Sequence, residues 1–255
     1  MAMEDILKKI IMEKKNMTFH GSTNKCELCN DTGWIENENG YRRCTCYEID
    51  VAKTRWEQYG VKQEDIKKIR DYKPYNQATI KAKELAAKYI TEFNSIKSSR
   101  ENSILFMGQA GGGKTHLITA IGAALIDKGV PVLYMPYIEV IRSLKANSMD
   151  DAYYQKIISK YQKAKVLIID DLFKDKVKSG KLIGNLTETD IKHIYTIINY
   201  RYLNYLPTLI SSECTPDMLN NLDEALAGRI LETCANFGVV FNDECNYRLR
   251  KFKGA

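Results

Sequence analysis

A lysine and a threonine close a glycine-rich run with the spacing of a phosphate grip. Gly108, Gln109, Ala110, Gly111, Gly112, Gly113, Lys114 and Thr115 match G-x-x-x-x-G-K-[ST]. Glycines there let the backbone curl into a concave nest of N–H groups. Together with the following helix N-terminus, the nest points at phosphate oxygens. The expected nucleotide-contacting set runs from Gly108 to His116, with Lys114 bridging the β- and γ-phosphates and the Thr115 hydroxyl ligating Mg²⁺. Ile104 to Met107 reads as a buried strand, and Leu117 to Ile126 continues at helical spacing. The strand, loop and helix together argue against a glycine-rich turn that happens to precede a lysine.

A second group of residues belongs to the same chemistry. Val166 to Ile169 is an uninterrupted apolar run, as in a parallel strand covered on both faces, and it ends in Asp170 and Asp171. Asp170 would hold Mg²⁺, and Asp171 could polarise an attacking water. A strand-end turn capped by Asp is the plainer alternative. Short carboxylates in both places point to slow hydrolysis. Ser212 and Glu213 end a further strand, Thr208 to Ser211, and are placed to sense the γ-phosphate or orient water.

Two close cysteine pairs form a third constellation. Cys26 and Cys29 are spaced C-x-x-C, and Cys44 and Cys46 are spaced C-x-C. Four thiolates in this arrangement suit a tetrahedral Zn²⁺, and His20 could replace one of them. The alternative is four unrelated buried thiols, for which so polar a segment offers little core. Four protein ligands close the coordination sphere, so the metal would support folding rather than catalysis. Trp34, Tyr41, Arg42 and Arg43 lie between the pairs and could touch a partner or pack around the metal.

The rest of the chain must position these groups. Asp5 to Met17 has helical periodicity with a basic polar face, which suits docking on its own domain or on a partner. Ile49 to Arg70 is charged and mostly helical in pattern. Pro74 breaks that pattern, and the domain boundary is expected near residue 70. Asn76 to Ser98 reads as a helix with Ile80, Leu85, Ala86, Tyr89, Ile90 and Phe93 on its apolar face. Pro131 to Tyr137 reads as a strand, and helices are expected over Ile138 to Lys145, Asp150 to Lys163 and, with Thr187 as cap, onward to Tyr205. Strands alternating with helices make an α/β fold with a parallel sheet. Lys174 to Lys181 is a basic loop that is either a solvated turn or a phosphate-contacting surface. Glu224 to Cys234 is a helix carrying Arg229, and Arg248 lies in a basic tail.

The whole-chain quantities are permissive. With 255 residues and 44% apolar content, the chain can bury a real core and a small second domain. No apolar run approaches the ~20 residues that span a bilayer, and the N-terminus has no signal-peptide pattern. Seven cysteines without such a signal fit reduced thiols and a cytoplasmic location. A net charge of +6 permits contact with nucleic acid without requiring it.

In order, the motifs are a Cys-rich N-terminal segment, a P-loop, the Asp170-Asp171-Leu172 strand end, Asn199-Tyr200-Arg201-Tyr202, Ser211-Ser212-Glu213 and an Arg-bearing helix. This arrangement resembles the DnaC/DnaI-type bacterial helicase loaders, AAA+ ATPases often also encoded by phages. Cys26-x-x-Cys29-Asn-Asp-Thr-Gly33 is similar to the zinc-binding segment of the DnaI kind. Transposition helpers of the IstB kind share the ATPase core and usually lack that module. The resemblance implies an N-terminal zinc-binding domain over 1–70 that grips a hexameric replicative helicase. It also implies an AAA+ domain over 71–255 that binds ATP and single-stranded DNA and assembles in a ring or spiral. Arg229 would serve the next subunit's γ-phosphate in trans, and Arg248 would be the cis sensor. Some loaders carry a second arginine one turn later, where this chain has Glu232 and Thr233. Arg201 is a reserve candidate, with a helix-surface salt bridge as its plainer use. A transposition helper on duplex DNA and a nucleotide-switched zinc adaptor without turnover are the competing functions.

Overall fold

The computed structural model describes residues 25–38, 40–242 and 245–247, with Met12 and Phe252 singly. The helix expected over 5–17 (Met12 apart), His20, Arg248 and Arg250 lie outside the described residues.

The first element is an antiparallel hairpin, β1 (Trp34–Asn37) and β2 (Gly40–Arg43), followed by α1 (Thr45–Gln58). Next come α2 (Gln77–Ile96), β3 (Ile104–Gly108), α3 (Lys114–Asp127), β4 (Val132–Pro136), α4 (Tyr137–Ala146), α5 (Asp151–Gln162) and β5 (Val166–Leu172). A two-stranded ribbon, β6 (Val177–Lys178) and β7 (Lys181–Leu182), precedes α6 (Glu188–Leu203) and β8 (Thr208–Ser212). The described elements end with α7 (Pro216–Leu222), α8 (Glu224–Thr233) and β9 (Gly238–Phe241).

Five strands form one parallel sheet in the order β4-β5-β8-β3-β9. Their side chains alternate between two cores, as the period of a strand requires. Leu105, Met107, Leu167, Ile169 and Ile210 face α4, α5, α6 and α8. Ile104, Phe106, Val132, Ile168 and Leu209 face α1, α2 and α3. Because both faces are covered, the strands read as apolar runs rather than as alternating ones.

The second core reaches across the boundary expected at residue 70. Trp56 of α1 is 0% exposed, and its Nε1 donates to the Val132 carbonyl at 2.9 Å. Gly122 of α3 leaves room for it, since a Cβ there would lie 2.7 Å from the indole. The α/β unit therefore takes in α1, whose first turn carries Cys46, and among the described residues the hairpin with Cys26, Cys29 and Cys44 stands ahead of it. No helix among the described residues is long and apolar enough to cross a membrane.

Candidate functional site

The glycine run joins the end of β3 to the start of α3. Gly108 has φ +94°, and a Cβ there would run into the Phe241 carbonyl of the neighbouring strand. Gly113 is the N-cap of α3 with φ +82°, and a Cβ would lie 2.7 Å from the Tyr72 ring. Both positions demand glycine, one for its backbone angle and the closeness of a strand, the other for its angle and the closeness of a ring. The loop floors a cleft of about 530 Å³ whose walls include Tyr72, Tyr75, Lys174, Glu213 and Tyr247. Tyr72 donates to the Gly112 carbonyl at 2.6 Å, so the segment before α2 holds the loop from outside.

Lys114 is 6% exposed, and its ammonium donates to the carbonyls of Gly108 at 2.8 Å and Gln109 at 2.7 Å. Burial holds its pKa down to about 8, helped by Lys174 and opposed by Asp171 and Asp170. The N–H groups that open α3 point into the same cleft and add the positive end of the helix dipole.

Asp170 sits at the carboxyl end of β5 as the hub of a hydrogen-bond cluster. Its Oδ1 accepts from Thr115 at 2.9 Å and from Ser211 at 2.5 Å, and its Oδ2 accepts from Tyr134 at 2.7 Å. These donors set the carboxylate's orientation and hold it beside the threonine hydroxyl, the pair expected to hold Mg²⁺. Asp171 lines the cleft. Its backbone is left-handed, with φ +57°, and its N–H donates to the Ser211 hydroxyl at 2.8 Å. Strain of this kind on a residue other than glycine persists where the surroundings enforce it.

The structure redirects Ser212 and Arg201 and gives His116 a wall contact. Ser212 is 1% exposed and turned inward, with its hydroxyl donating to the Leu172 carbonyl at 2.7 Å. Ser211, on the other side of the strand, reaches Asp170, while Glu213 lines the cleft and pairs with Lys174. His116 also lines the cleft, but its Nε2 meets the Lys68 carbonyl at 3.1 Å and its ring packs edge-on against Tyr72. Arg201 is no surface ion pair. It is 1% exposed and donates to the carbonyls of Tyr161, Gln162, Ala164 and Pro207 and to the Thr208 hydroxyl.

Tyr72 and Tyr134 carry no motif of their own and are found only through the fold. Lys174 and Lys176 of the expected basic loop are held by acids, Lys174 by Glu213 and Lys176 by Asp175 and Asp190. Lys178 and Lys181 stay exposed on the ribbon. Arg229 does not line the cleft of its own chain. Its Nε donates to Asn199 at 2.9 Å and one terminal nitrogen to the Ala225 carbonyl at 2.7 Å, beside the rings of Tyr195 and Tyr202.

The four cysteines converge. The sulfurs of Cys26, Cys29, Cys44 and Cys46 all lie within 4.8 Å of one another. Cys26 and Cys44 are 3.7 Å apart, and Cys29 and Cys46 are 3.4 Å apart. Zn–S bonds of about 2.3 Å in a tetrahedron place sulfurs about 3.8 Å apart, so the donor set and its spacing fit zinc. The Gly33 N–H donates to the Cys29 sulfur at 3.4 Å, a support that orients this ligand and spreads its charge. Arg43 does not reach outward as a free contact. Its guanidinium lies 3.8 Å from the Trp34 ring centroid and 4.0 Å from that of Tyr47, tying the hairpin to α1.

The chain is similar to known proteins over most of its length. Residues 48–204 match the IstB-like ATP binding protein family. XkdC, from the phage-like element PBSX of Bacillus subtilis (strain 168), is 36% identical over 237 residues, 88% of this chain and 86% of XkdC. The crystal structure of the DnaC helicase loader superposes with TM-score 0.57 at 25% identity, covering 69% of this chain and 96% of that one. DnaI superposes with TM-score 0.54 at 22% identity over 69% of this chain and 90% of its own, a likeness of fold alone. Parallel sheet, phosphate loop and Asp-bearing strand define an AAA+ ATP-binding domain. Within that class, the chain belongs to the IstB-like ATP binding protein family.

Proposed function

We propose that this chain is an ATP-dependent loader that places a hexameric replicative helicase on single-stranded DNA. The observation that carries this reading is the four-thiol hairpin set directly ahead of an AAA+ cleft, a combination the IstB kind of transposition helper usually lacks. The likeness to the DnaC helicase loader supports it. In this reading Lys114 and the loop N–H groups bind the polyphosphate, Thr115 and Asp170 hold Mg²⁺, and Asp171 orients the attacking water. Bound Mg²⁺ would neutralise charge on the phosphates. Zinc held by Cys26, Cys29, Cys44 and Cys46 would give the hairpin a fold that its few apolar residues cannot supply. Arg229, remote from its own cleft, completes the site of the next subunit, so that turnover depends on assembly. The cleft itself serves equally a transposition helper, and the match to the IstB-like family favours that second reading.

The test is capture of the replicative helicase by the full chain and by Cys26→Ser/Cys29→Ser, each with ATP and oligothymidine. A chain starting at residue 71 would lose Trp56 from the core, so the full chain is the right background. Capture by the wild type and not by the variant supports the loader. Capture by neither, together with preference for duplex DNA and for a transposase, replaces it with the helper. For Arg229, mixtures of Lys114→Ala and Arg229→Ala chains, each inactive alone, should recover part of the ATP turnover. No recovery rejects the trans role.

A further inference from the structure

The strands of the sheet are parallel, so the phosphate loop at the end of β3 and the starts of β4 and β5 lie at opposite ends of the molecule. At that opposite end, α1 and the chain entering β5 enclose a groove of about 370 Å³. A second hollow of about 580 Å³ shares Glu48, Pro131 and Lys165 with it and extends it toward Lys97. Arg55 forms one wall, and Lys160, Lys163 and Lys165 the other, against the single carboxylate of Glu48. Among the described residues, no ion pair uses any of these five.

Four cations on one concave surface repel one another, and their attraction for a distributed anion is correspondingly strong. Lys160 is half-buried, with its ammonium 5.0 Å from the Tyr161 ring centroid. Burial, followed by the charge of Arg55, holds its pKa down to about 8. Aromatic rings accompany the charge. Tyr47 lines the groove and is 41% exposed. Tyr59, 36% exposed, meets the Tyr161 hydroxyl at 3.2 Å. An acidic peptide would use the cations and leave the rings idle. A single-stranded nucleic acid uses both, phosphates on the cations and unstacked bases on the rings.

We propose that this groove is a track for single-stranded nucleic acid, with Arg55, Lys160, Lys163 and Lys165 on the phosphates and the exposed rings of Tyr47 and Tyr59 offered to bases. It deepens the single-stranded DNA partner proposed above and rests on that reading.

Fluorescence anisotropy of a labelled oligothymidine with the full chain tests it. Lys163→Glu/Lys165→Glu changes two exposed groove residues, and Lys178→Glu/Lys181→Glu changes two exposed ribbon residues. The groove pair should weaken binding at least about tenfold near 0.1 M salt and flatten the log–log salt slope by about 1–1.5, as loss of two phosphate contacts requires. Its melting temperature and ATP affinity should match the wild type. Wild-type binding by the groove variant overturns the track. If the ribbon variant alone loses the strand, the track falls while the single-stranded DNA partner stands. No binding by the wild type, with or without ATP, overturns both. Loss of a polyglutamate peptide without loss of oligothymidine makes the groove an acidic-protein site, and the proposal fails.

Discussion

Lys114 keeps its charge in a place that penalises it. Burial lowers its pKa to about 8, and a bound polyphosphate, contributing negative charge beside the ammonium, raises it again. The protonated lysine therefore binds nucleotide better than the neutral one, and binding takes up a proton where the free protein has lost one. ATP affinity should be flat below about pH 8 and fall by up to about tenfold per pH unit above it. Calorimetry at pH 8.5 in two buffers of different ionisation enthalpy should show proton uptake. Equal heats in both buffers would reject the assignment. Glycine spacing made Lys114 and Thr115 legible from sequence, because few other backbones need that pattern. Ser211 and Ser212 were not separable that way. Adjacent residues of a strand point to opposite faces, and only the sheet decides which face holds Asp170. Tyr134 gave no signal at all, because its partner Asp170 lies on a different strand, 36 positions away.

At the scale of elements, Arg201 shows how far a helix surface can mislead. It lies in the last turn of α6 and donates to the Tyr161 and Gln162 carbonyls in the last turn of α5, and to the Ala164 and Pro207 carbonyls beyond. Carbonyls at a helix C-terminus have no intrahelical partner, and a buried guanidinium satisfies several at once. Arg201→Ala should cost on the order of 3–5 kcal/mol, because buried carbonyls lose their donor. Urea unfolding measures it, and a loss below about 1 kcal/mol would refute the capping role. Helix α2 gave a milder surprise. Its buried side includes Thr79, Ala82, Ala86, Tyr89 and Phe93, while Ile80 is 39% exposed. Small residues turn inward where α2 approaches α3 closely, and periodicity weighted by hydrophobicity alone underrates alanine.

Across the whole molecule, the thiol hairpin and the α/β unit have separate sources of stability. The hairpin is organised around Cys26, Cys29, Cys44 and Cys46, whereas α1 is anchored by Trp56 in the sheet's own core. The two tryptophans report on them separately. Zinc analysis should find about one ion per chain. Chelation at neutral pH should then shift the emission of Trp34, read in Trp56→Phe, and leave that of Trp56, read in Trp34→Phe. A chain without zinc, or an unchanged Trp34 signal, would reject the metal site. The sequence by itself determined the phosphate loop, the Asp-bearing strand, the paired thiols and the alternation of strands and helices. Each of these is a local pattern of a few residues whose types and spacing answer to a single backbone geometry. Tertiary structure decided what depends on residues far apart in the chain. It placed Trp56 in the sheet's core, turned Ser211 rather than Ser212 to the carboxylate, buried Arg201 and gathered in one groove four cations that pair with no acid among the described residues. Burial and charge neighbourhood are sums over the packed molecule, and no local window contains them.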